Sequence, residues 1–295
     1  MLTDYDTLKS AIEHRLGQKV LSLSQMGQGM CNTIWYADTY DQQTYLVKQE
    51  RLEKYEEEQN NLVVEGNLLK TLNEKNPLLP IPQIIFVCEN PRMYGYRYAP
   101  GRMMSEAWAD LTEAERTSLC EQLGQFHYEL GNTLTEPELI ELALLNNKEL
   151  EINEETDGDL LRFLDHPLIP ETYQDLVLTI YHTILDTNAQ SIFRFCHNDS
   201  HHENILLVNG QLACVIDFGD ADFGDVHREF SRYVLDYPDY YDIIVRTYER
   251  LSNTRLSRQR IIALSIMDTL GDLFTGFFFS GKIDLLDRNA HWFKT

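Results

Sequence analysis

The sequence predicts an α+β protein of two unequal lobes, a small antiparallel sheet with helices followed by a larger, mostly helical part. Three observations carry this. β-rich runs crowd the chain before Pro100, helical spacing dominates after Gly101, and a single β-like island from Ile192 to Asp217 interrupts the helical part. With 295 residues, 43% of them hydrophobic, each lobe can bury a core of its own, which excludes a chain that is mainly disordered. The boundary is placed at Ala99, giving lobes 1–99 and 100–295.

Taken in order, Thr3 to Arg15 has helical spacing, with Leu8, Ile12 and Leu16 on one stripe and Gly17 as a stop. VLSLSQM, NTIWYADTY and TYLVKQER then predict three consecutive antiparallel strands, joined by a bend at Gly27 to Gly29 and a polar turn at Asp41 to Gln43. Lys54 to Glu74 returns to helical spacing through Leu62, Glu65, Leu68, Leu69 and Leu72 until Pro77, Pro80 and Pro82 forbid more helix. QIIFVCE and MYGYRYA read as two further strands. Beyond Pro100, Thr112 and Glu115 form a capping box that opens a helix carrying Leu119, Leu123, Phe126 and Leu130. Inside the β island, Asn209-Gly210 reads as a two-residue hairpin turn between ILLV and QLACVID.

Charge and cysteine usage narrow the function. Twenty-five Lys and Arg face 47 Asp and Glu, a formal charge of -22, and no run of basic residues reverses that field. Nucleic acid and anionic membrane surfaces are therefore excluded as partners, and a cationic or neutral small molecule fits. The five cysteines, Cys31, Cys88, Cys120, Cys196 and Cys214, are widely spaced without a C-x-x-C pair and read as reduced thiols. Met1 to Gly17 lacks the layout of a secretory signal, and the greasy stretch Ile261 to Phe279 is broken by Asp268 and Asp272, as in a core helix. The expectation is a soluble cytoplasmic protein, a monomer or weak dimer.

The chemistry lies in His197-Asn198-Asp199-Ser200-His201-His202-Glu203-Asn204, at the end of one apolar strand, followed by Val215-Ile216-Asp217-Phe218-Gly219-Asp220. Phosphoryl transfer needs a carboxylate to orient the acceptor hydroxyl and hard oxygen ligands that hold Mg²⁺ against the nucleotide. Asp199, Asn204 and Asp217 offer both. The pattern H-x-D-x-x-x-x-N followed by I-D-F-G resembles the catalytic core of eukaryotic-like kinases, and the remaining parts stand in kinase order. Gly27 and Gly29 lie between the first two strands, where backbone approaches phosphates without a Cβ in the way. Lys48 lies on the third strand and Glu65 on the helix that follows.

What is missing selects the kind of kinase. His201 stands where protein kinases place a Lys, and no long activation segment ending in A-P-E follows Asp217-Phe218-Gly219. D-x-H-x-x-N with V-I-D-F-G-D-A-x-x-G-D resembles the aminoglycoside phosphotransferase family, which includes choline, homoserine and methylthioribose kinases. The resemblance runs from about Val20 to about Leu235. It implies a protein-kinase-like bilobal fold and an enzyme using ATP or GTP with Mg²⁺. It further implies Asp199 as catalytic base or hydroxyl-orienting residue, Asn204 and Asp217 on the metal, Lys48 with Glu65 on the triphosphate, and the backbone of Tyr96, Arg97, Tyr98 and Ala99 on the nucleobase. Glu229 stands where the family usually has Asp, a departure that implies a preserved structural helix contact and leaves the subfamily open.

Other residues carry weaker implications. His197 reads as a brace of the loop, and His201 with His202 lacks the further ligands of a zinc site. Asp220, Asp222 and Asp225 read equally as substrate contacts or as loop caps. Glu136 to Asp175 holds twelve Asp and Glu against Lys148 and Arg162, a net -10 suited either to a polyamine-bearing sugar or to an ordinary solvated surface. Tyr237, Tyr240, Tyr241, Trp292 and Phe293 read as core rather than as a quaternary-amine pocket. An aminoglycoside is the expected acceptor. Choline, homoserine or a sugar is the alternative, and a non-catalytic pseudokinase is disfavoured by intact Lys48, Asp199, Asn204 and Asp217.

Overall fold

A computed structural model of the chain describes residues 5–28, 32–50, 62–142 and 174–274. Gly29, Cys31, residues 54–61 of the expected second helix, the acidic stretch 143–173, and Trp292 with Phe293 lie outside the described residues.

Helix α1 (Tyr5–Leu16) buries Leu8 and Ile12. Gly17 ends it at φ +66°, a left-handed conformation with no penalty only for glycine. Strands β1 (Val20–Gln28), β2 (Asn32–Thr39), β3 (Thr44–Glu50), β4 (Ile84–Glu89) and β5 (Arg92–Arg97) form one antiparallel sheet in the order β1-β2-β3-β5-β4. Gly27 lies within the ladder opposite Ile34, so β1 continues through the glycine that the sequence placed in the bend. α1 packs its stripe on Val20, Leu23, Ala37, Val47 and Met93 at one side of the sheet. Helix α2 (Leu62–Lys75) covers the other with Leu62, Leu68, Leu69 and Leu72. At Gly95 a side chain would collide with the ring of Phe86, so the β4–β5 pair tolerates glycine alone there.

The second part opens with β6 (Arg102–Met103) and α3 (Met104–Ala107), and continues with α4 (Glu113–Gly131), α5 (Glu136–Glu141), α6 (Gln174–Asp186), β7 (Phe193–Cys196), β8 (Ile205–Val208), β9 (Gln211–Val215) and β10 (Asp222–Asp225). It closes with α7 (Val226–Glu229), α8 (Ser231–Asp236), α9 (Tyr241–Ser252) and α10 (Arg258–Phe274). The Thr112–Glu115 capping box is formed in both directions, and Asn209 and Gly210 both take positive φ, as a type I′ hairpin requires. β6 and β10 were not foreseen. β6 adds to β8, and β10 pairs with β7, so the segment after Asp217-Phe218-Gly219 returns along the strand that leads into the H-x-D loop. Strands of two and four residues show no alternation that a sequence pattern can reveal.

Leu119, Leu123, Phe230, Tyr233, Ile244, Val245 and Tyr248 form the largest core of this part. Tyr237 and Tyr241 are buried in it and Tyr240 packs against it, which is the core role the sequence favoured for these rings. A second cluster crosses the boundary placed at Ala99, joining Leu46, Leu69 and Tyr96 to Phe126, Leu130, Phe195, Val215 and Phe218. Shared apolar burial therefore seats the sheet on the helical part where the site lies.

Candidate active site

β7 delivers the chain into the loop from His197 to Asn204, and backbone bonds tighten it, His201 N–H to the Asp199 carbonyl at 2.9 Å and Asn204 N–H to the His201 carbonyl at 2.9 Å. His197 is fully buried. Its Nδ1 accepts from the Asp199 N–H at 3.2 Å, so its Nε2–H donates to the Ile216 carbonyl at 3.0 Å. One imidazole thus ties the loop to the strand end that carries Asp217, and Phe218 packs edge-on to it at 4.4 Å. Burial lowers the His197 pKa, which suits a neutral brace rather than a proton carrier.

Asp199 stands partly open. The Asn204 side-chain amide donates from Nδ2 to the Asp199 carbonyl at 2.9 Å and to its Oδ2 at 3.0 Å. His201 Nε2 is 3.6 Å from Oδ2 and Arg232 4.0 Å from Oδ1. Burial raises the Asp199 pKa while His201 and Arg232 oppose the rise, a balance that keeps a carboxylate basic enough to take a hydrogen bond from a hydroxyl. Because His201 Nδ1 accepts from the Glu203 N–H, its Nε2 carries the hydrogen that faces Asp199.

From the sheet, Lys48 Nζ lies 3.1 and 3.0 Å from the two oxygens of Glu65 and 2.7 Å from Asp217 Oδ1. Glu65 is 3% exposed and also accepts the Phe218 N–H at 3.0 Å, which makes it Lys48's partner and not a solvated helix residue. Burial works against the charge of Lys48, yet Glu65 and Asp217 together hold its pKa above the ordinary value. Burial also raises Glu65, with Lys48 opposing. Asp217 feels burial too, but Lys48 overrides it and the pKa falls, leaving a firm carboxylate. Both Asn198 (φ 64°) and Asp217 (φ 66°) take left-handed backbone conformations, the kind of local strain that concentrates where side chains must be aimed.

Among the described residues no three His, Cys, Asp or Glu side chains converge as a metal site. The donor set fits magnesium in another way. Asp217 supplies a half-exposed, firmly ionised oxygen. Asn204 spends its amide hydrogens on Asp199, which turns its hard carbonyl oxygen the other way. Magnesium takes few protein ligands and completes its octahedron with water and phosphate oxygens, so two such groups on neighbouring turns suffice. The Ile216 N–H to Asn204 carbonyl bond at 2.9 Å holds those turns together.

At the segment expected to meet the nucleobase, the sheet has prior claims. The Arg97 N–H goes to Gln83 at 3.2 Å and the Tyr98 N–H to Thr44 at 3.0 Å, and Tyr96 sits inside the ladder between Leu46 and Ile84. Ala99 lies beyond the last ladder pair. The Tyr98 ring stands edge-on to Tyr36 at 5.6 Å. Asp225 resolves as a loop cap, bonded to the Ile192 and His227 N–H groups, to His227 Nδ1 and to the buried Arg260. In the acidic segment, Glu138 is committed to Lys75 and to the Thr135 N–H, so it serves structure and not an acceptor.

Of the residues that hold the loop, His127 escaped the sequence reading. Glu229, buried at 2% exposure, accepts the Asn198 N–H and the Ser200 hydroxyl, both at 3.0 Å, while His127 of α4 lies 3.0 Å from it. The longer Glu keeps, and defines, the structural contact foreseen for that position. His127 gave no signal, because a histidine in an apolar stripe between Phe126 and Leu130 shows nothing of its partner 102 positions away at Glu229.

The model of the phosphotransferase enzyme family (APH) matches residues 22–256. No curated protein matches the sequence. Among solved structures, the chain is similar to the streptomycin–ATP ternary complex of APH(2")-IIa, with 19% identity, TM-score 0.68, and coverage of 99% of this chain and 97% of that one. It is similar as well to the GDP complex of aminoglycoside 2'-phosphotransferase-IIIa (16%, TM-score 0.74, 96% and 97% covered). A macrolide 2'-phosphotransferase from Brachybacterium faecium is a third such structure (17%, TM-score 0.70, 92% and 93% covered). The family match over most of the chain and the kinase-type arrangement of Lys48, Glu65, Asp199, Asn204 and Asp217 agree, and the chain belongs to the phosphotransferase enzyme family.

Proposed function

We propose that the chain transfers the γ-phosphoryl group of ATP or GTP to a hydroxyl of a cationic small molecule, an aminoglycoside in the first instance. The observation that carries this is the Lys48 ammonium, held by Glu65 from one side and 2.7 Å from Asp217 on the other, facing the loop where Asn204 and Asp199 are bonded together. Lys48 holds the nucleotide phosphates, and Gly27 with Gly29 lets backbone come close to them. Ala99 meets the base. Asp199 accepts the hydrogen bond of the acceptor hydroxyl and aims its oxygen along the line of the breaking bond. Magnesium held by Asp217 and Asn204 would supply the neutralisation of phosphate charge that this chemistry needs. Such a reaction modifies amine-bearing antibiotics into resistance products, and a cytoplasmic location agrees with Cys88, Cys120, Cys196 and Cys214 being free, buried thiols.

The test is purified protein with Mg²⁺, ATP or GTP, and a panel of aminoglycosides, macrolides, choline and homoserine, read by the mass gain of one phosphoryl group. Phosphorylation confined to the amine-rich sugars is expected. Macrolides belong in the panel because macrolide phosphotransferases share the fold. Nucleotide binding with no acceptor modified would defeat the proposal.

A further inference from the structure

The helical part carries a basic pocket that the proposed transfer does not use. Arg246, Glu249 and Arg250 of α9, with Asn253, Thr254 and Arg255 of the turn that follows, line an opening of about 470 Å³. That volume lies in the range of pockets that hold small ligands. None of these residues is among those gathered at the candidate active site.

The pocket is positive in a chain of formal charge -22, and the pairing of its groups shows why. Arg258, at the start of α10, takes Asp242 Oδ1 at 2.9 Å through Nε and grips both oxygens of Glu249, at 2.9 and 3.1 Å. The Leu256 N–H donates to Glu249 Oε1 as well, at 2.8 Å. Burial opposes the Glu249 charge, but Arg258 and the Leu256 N–H hold its pKa below the ordinary value, so it counts as one negative charge. Arg246 Nε reaches Asp242 Oδ2 at 2.9 Å, and Arg255 Nη1 is left with Glu249 Oε2 at 3.3 Å. Among the described residues Arg250 has no ion-pair partner. Four guanidiniums and Arg250 included thus share two carboxylates, Asp242 and Glu249, and the surplus of two positive charges outweighs the roughly half negative charge of a helix C-terminus at the end of α9.

The frame of the opening is fixed while its cations are loosely held. Glu249 is buried, and its bonds to Arg258 and Leu256 pin the turn back onto α9. Asn253 closes the helix at φ 52°, and the Thr254 hydroxyl donates to the Ser252 carbonyl at 3.2 Å. The Arg246 and Arg255 side chains, in contrast, are 63% and 90% exposed, and ion pairs so exposed are weak. A guanidinium has five N–H groups, so most of the donors of Arg246, Arg250 and Arg255 remain for a ligand.

We propose that this pocket binds a small anion that bears a phosphoryl group and at least two negative charges. A carboxylate has two oxygens and is satisfied by one guanidinium fork. A phosphoryl group has three, and Arg246, Arg250 and Arg255 can meet on it from separate points of the helix and the turn.

The test is thermal unfolding and calorimetric titration of the full chain with inorganic phosphate, tripolyphosphate and citrate, in EDTA, with ionic strength held constant by chloride. Lys48→Ala is run beside the parent to remove anion binding at the candidate active site. Tripolyphosphate is expected to bind at least tenfold more tightly than phosphate and to raise the Tm of both proteins. Arg250→Gln should weaken that binding about tenfold, the scale of one exposed hydrogen-bonded charge. The triple replacement of Arg246, Arg250 and Arg255 by Gln should abolish it, with a ligand-free Tm near the parent's because these side chains are exposed. An equal Tm rise in the triple variant overturns the proposal, since multivalent anions would then be acting by exclusion from the whole surface. A rise kept by the triple variant and lost in Lys48→Ala overturns it too, by placing the anion at the active site. Citrate binding as tightly as tripolyphosphate overturns the phosphoryl assignment. Should Lys48→Ala not fold, the parent against the triple variant decides. None of these readings depends on whether an acceptor is phosphorylated.

Discussion

Two ionic networks meet at this site, and they differ at one end. Lys48 of β3 and Glu65 of α2 meet Asp217, which follows β9, and the Asp217 side chain is 50% exposed. Glu229 and His127 lie inside the helical part at 2% and 1%. Both begin with a buried glutamate. The open network finishes on a half-exposed carboxylate, for which a metal can compete, whereas the closed one finishes on backbone and a hydroxyl. The open end is suited to chemistry and the closed end to holding, and substitutions should separate the two by which kinetic constant they move.

The largest effect is expected at the open end. Asp217→Ala removes the ionised oxygen and leaves Lys48 with Glu65 alone, and kcat/KM should fall by about 10³ or more in steady-state assays. A loss under tenfold would break the assignment of Asp217 to the metal. Asp199→Asn should cost ~10²–10⁴ in kcat with nucleotide affinity nearly unchanged, as judged by the nucleotide-induced rise in Tm. Equal turnover by that variant and the parent would remove Asp199 from its role.

Acid should strike the closed network. Glu229 and Asp225 have their pKa values depressed to about 2 from ordinary values of 4.5 and 3.8. A depressed carboxylate contributes stability that is complete above the unfolded pKa and vanishes as pH falls through the folded one. At 1.36 kcal/mol per unit, Asp225 is worth about 2 kcal/mol and Glu229 somewhat over 3, lost between roughly pH 4.5 and pH 2. His197, neutral by burial, adds a loss of the same sign as pH drops below its ordinary 6.5. Urea unfolding between pH 7 and pH 3 should show that decline, and Glu229→Gln should flatten it. A pH-independent midpoint would contradict the buried charge at Glu229.

A smaller change sharpens the same contrast. Glu65→Gln leaves Lys48 free to settle on Asp217, which then competes poorly for metal. kcat/KM for nucleotide should fall about 10- to 100-fold while loop exchange near Asn198 stays as in the parent. Smallest is Thr112→Ala, which opens the capping box of α4 far from both networks. About 1 kcal/mol of stability should go, with kcat unmoved.

Much of the open network was legible in the chain because its residues sit in short, ordered motifs, each needing one residue type for one task. Lys48 is recognisable on a strand, Glu65 within a leucine stripe, and Asp199, Asn204 and Asp217 within two turns of sequence. The closed network was legible only at Glu229, by its place in the motif. His127 lies 102 positions away and resembles any polar residue of an amphipathic helix until the helices dock. The nucleobase segment shows the same limit. Composition cannot reveal that Gln83 and Thr44 take the Arg97 and Tyr98 N–H groups, because strand register decides which donors remain.

By itself the sequence determined the α+β layout, the hairpin at Asn209-Gly210, the cap at Thr112 and which side chains gather at the candidate site. All of these rest on local periodicity, backbone preference or the chemistry of a single side chain. Tertiary structure alone decided that β6 and β10 pair beneath the site, that Asp225 caps rather than binds, and which buried partners hold the Asp199 loop in place. Those outcomes depend on burial and on contacts between distant elements, and they exist only once the apolar cores have brought the elements together.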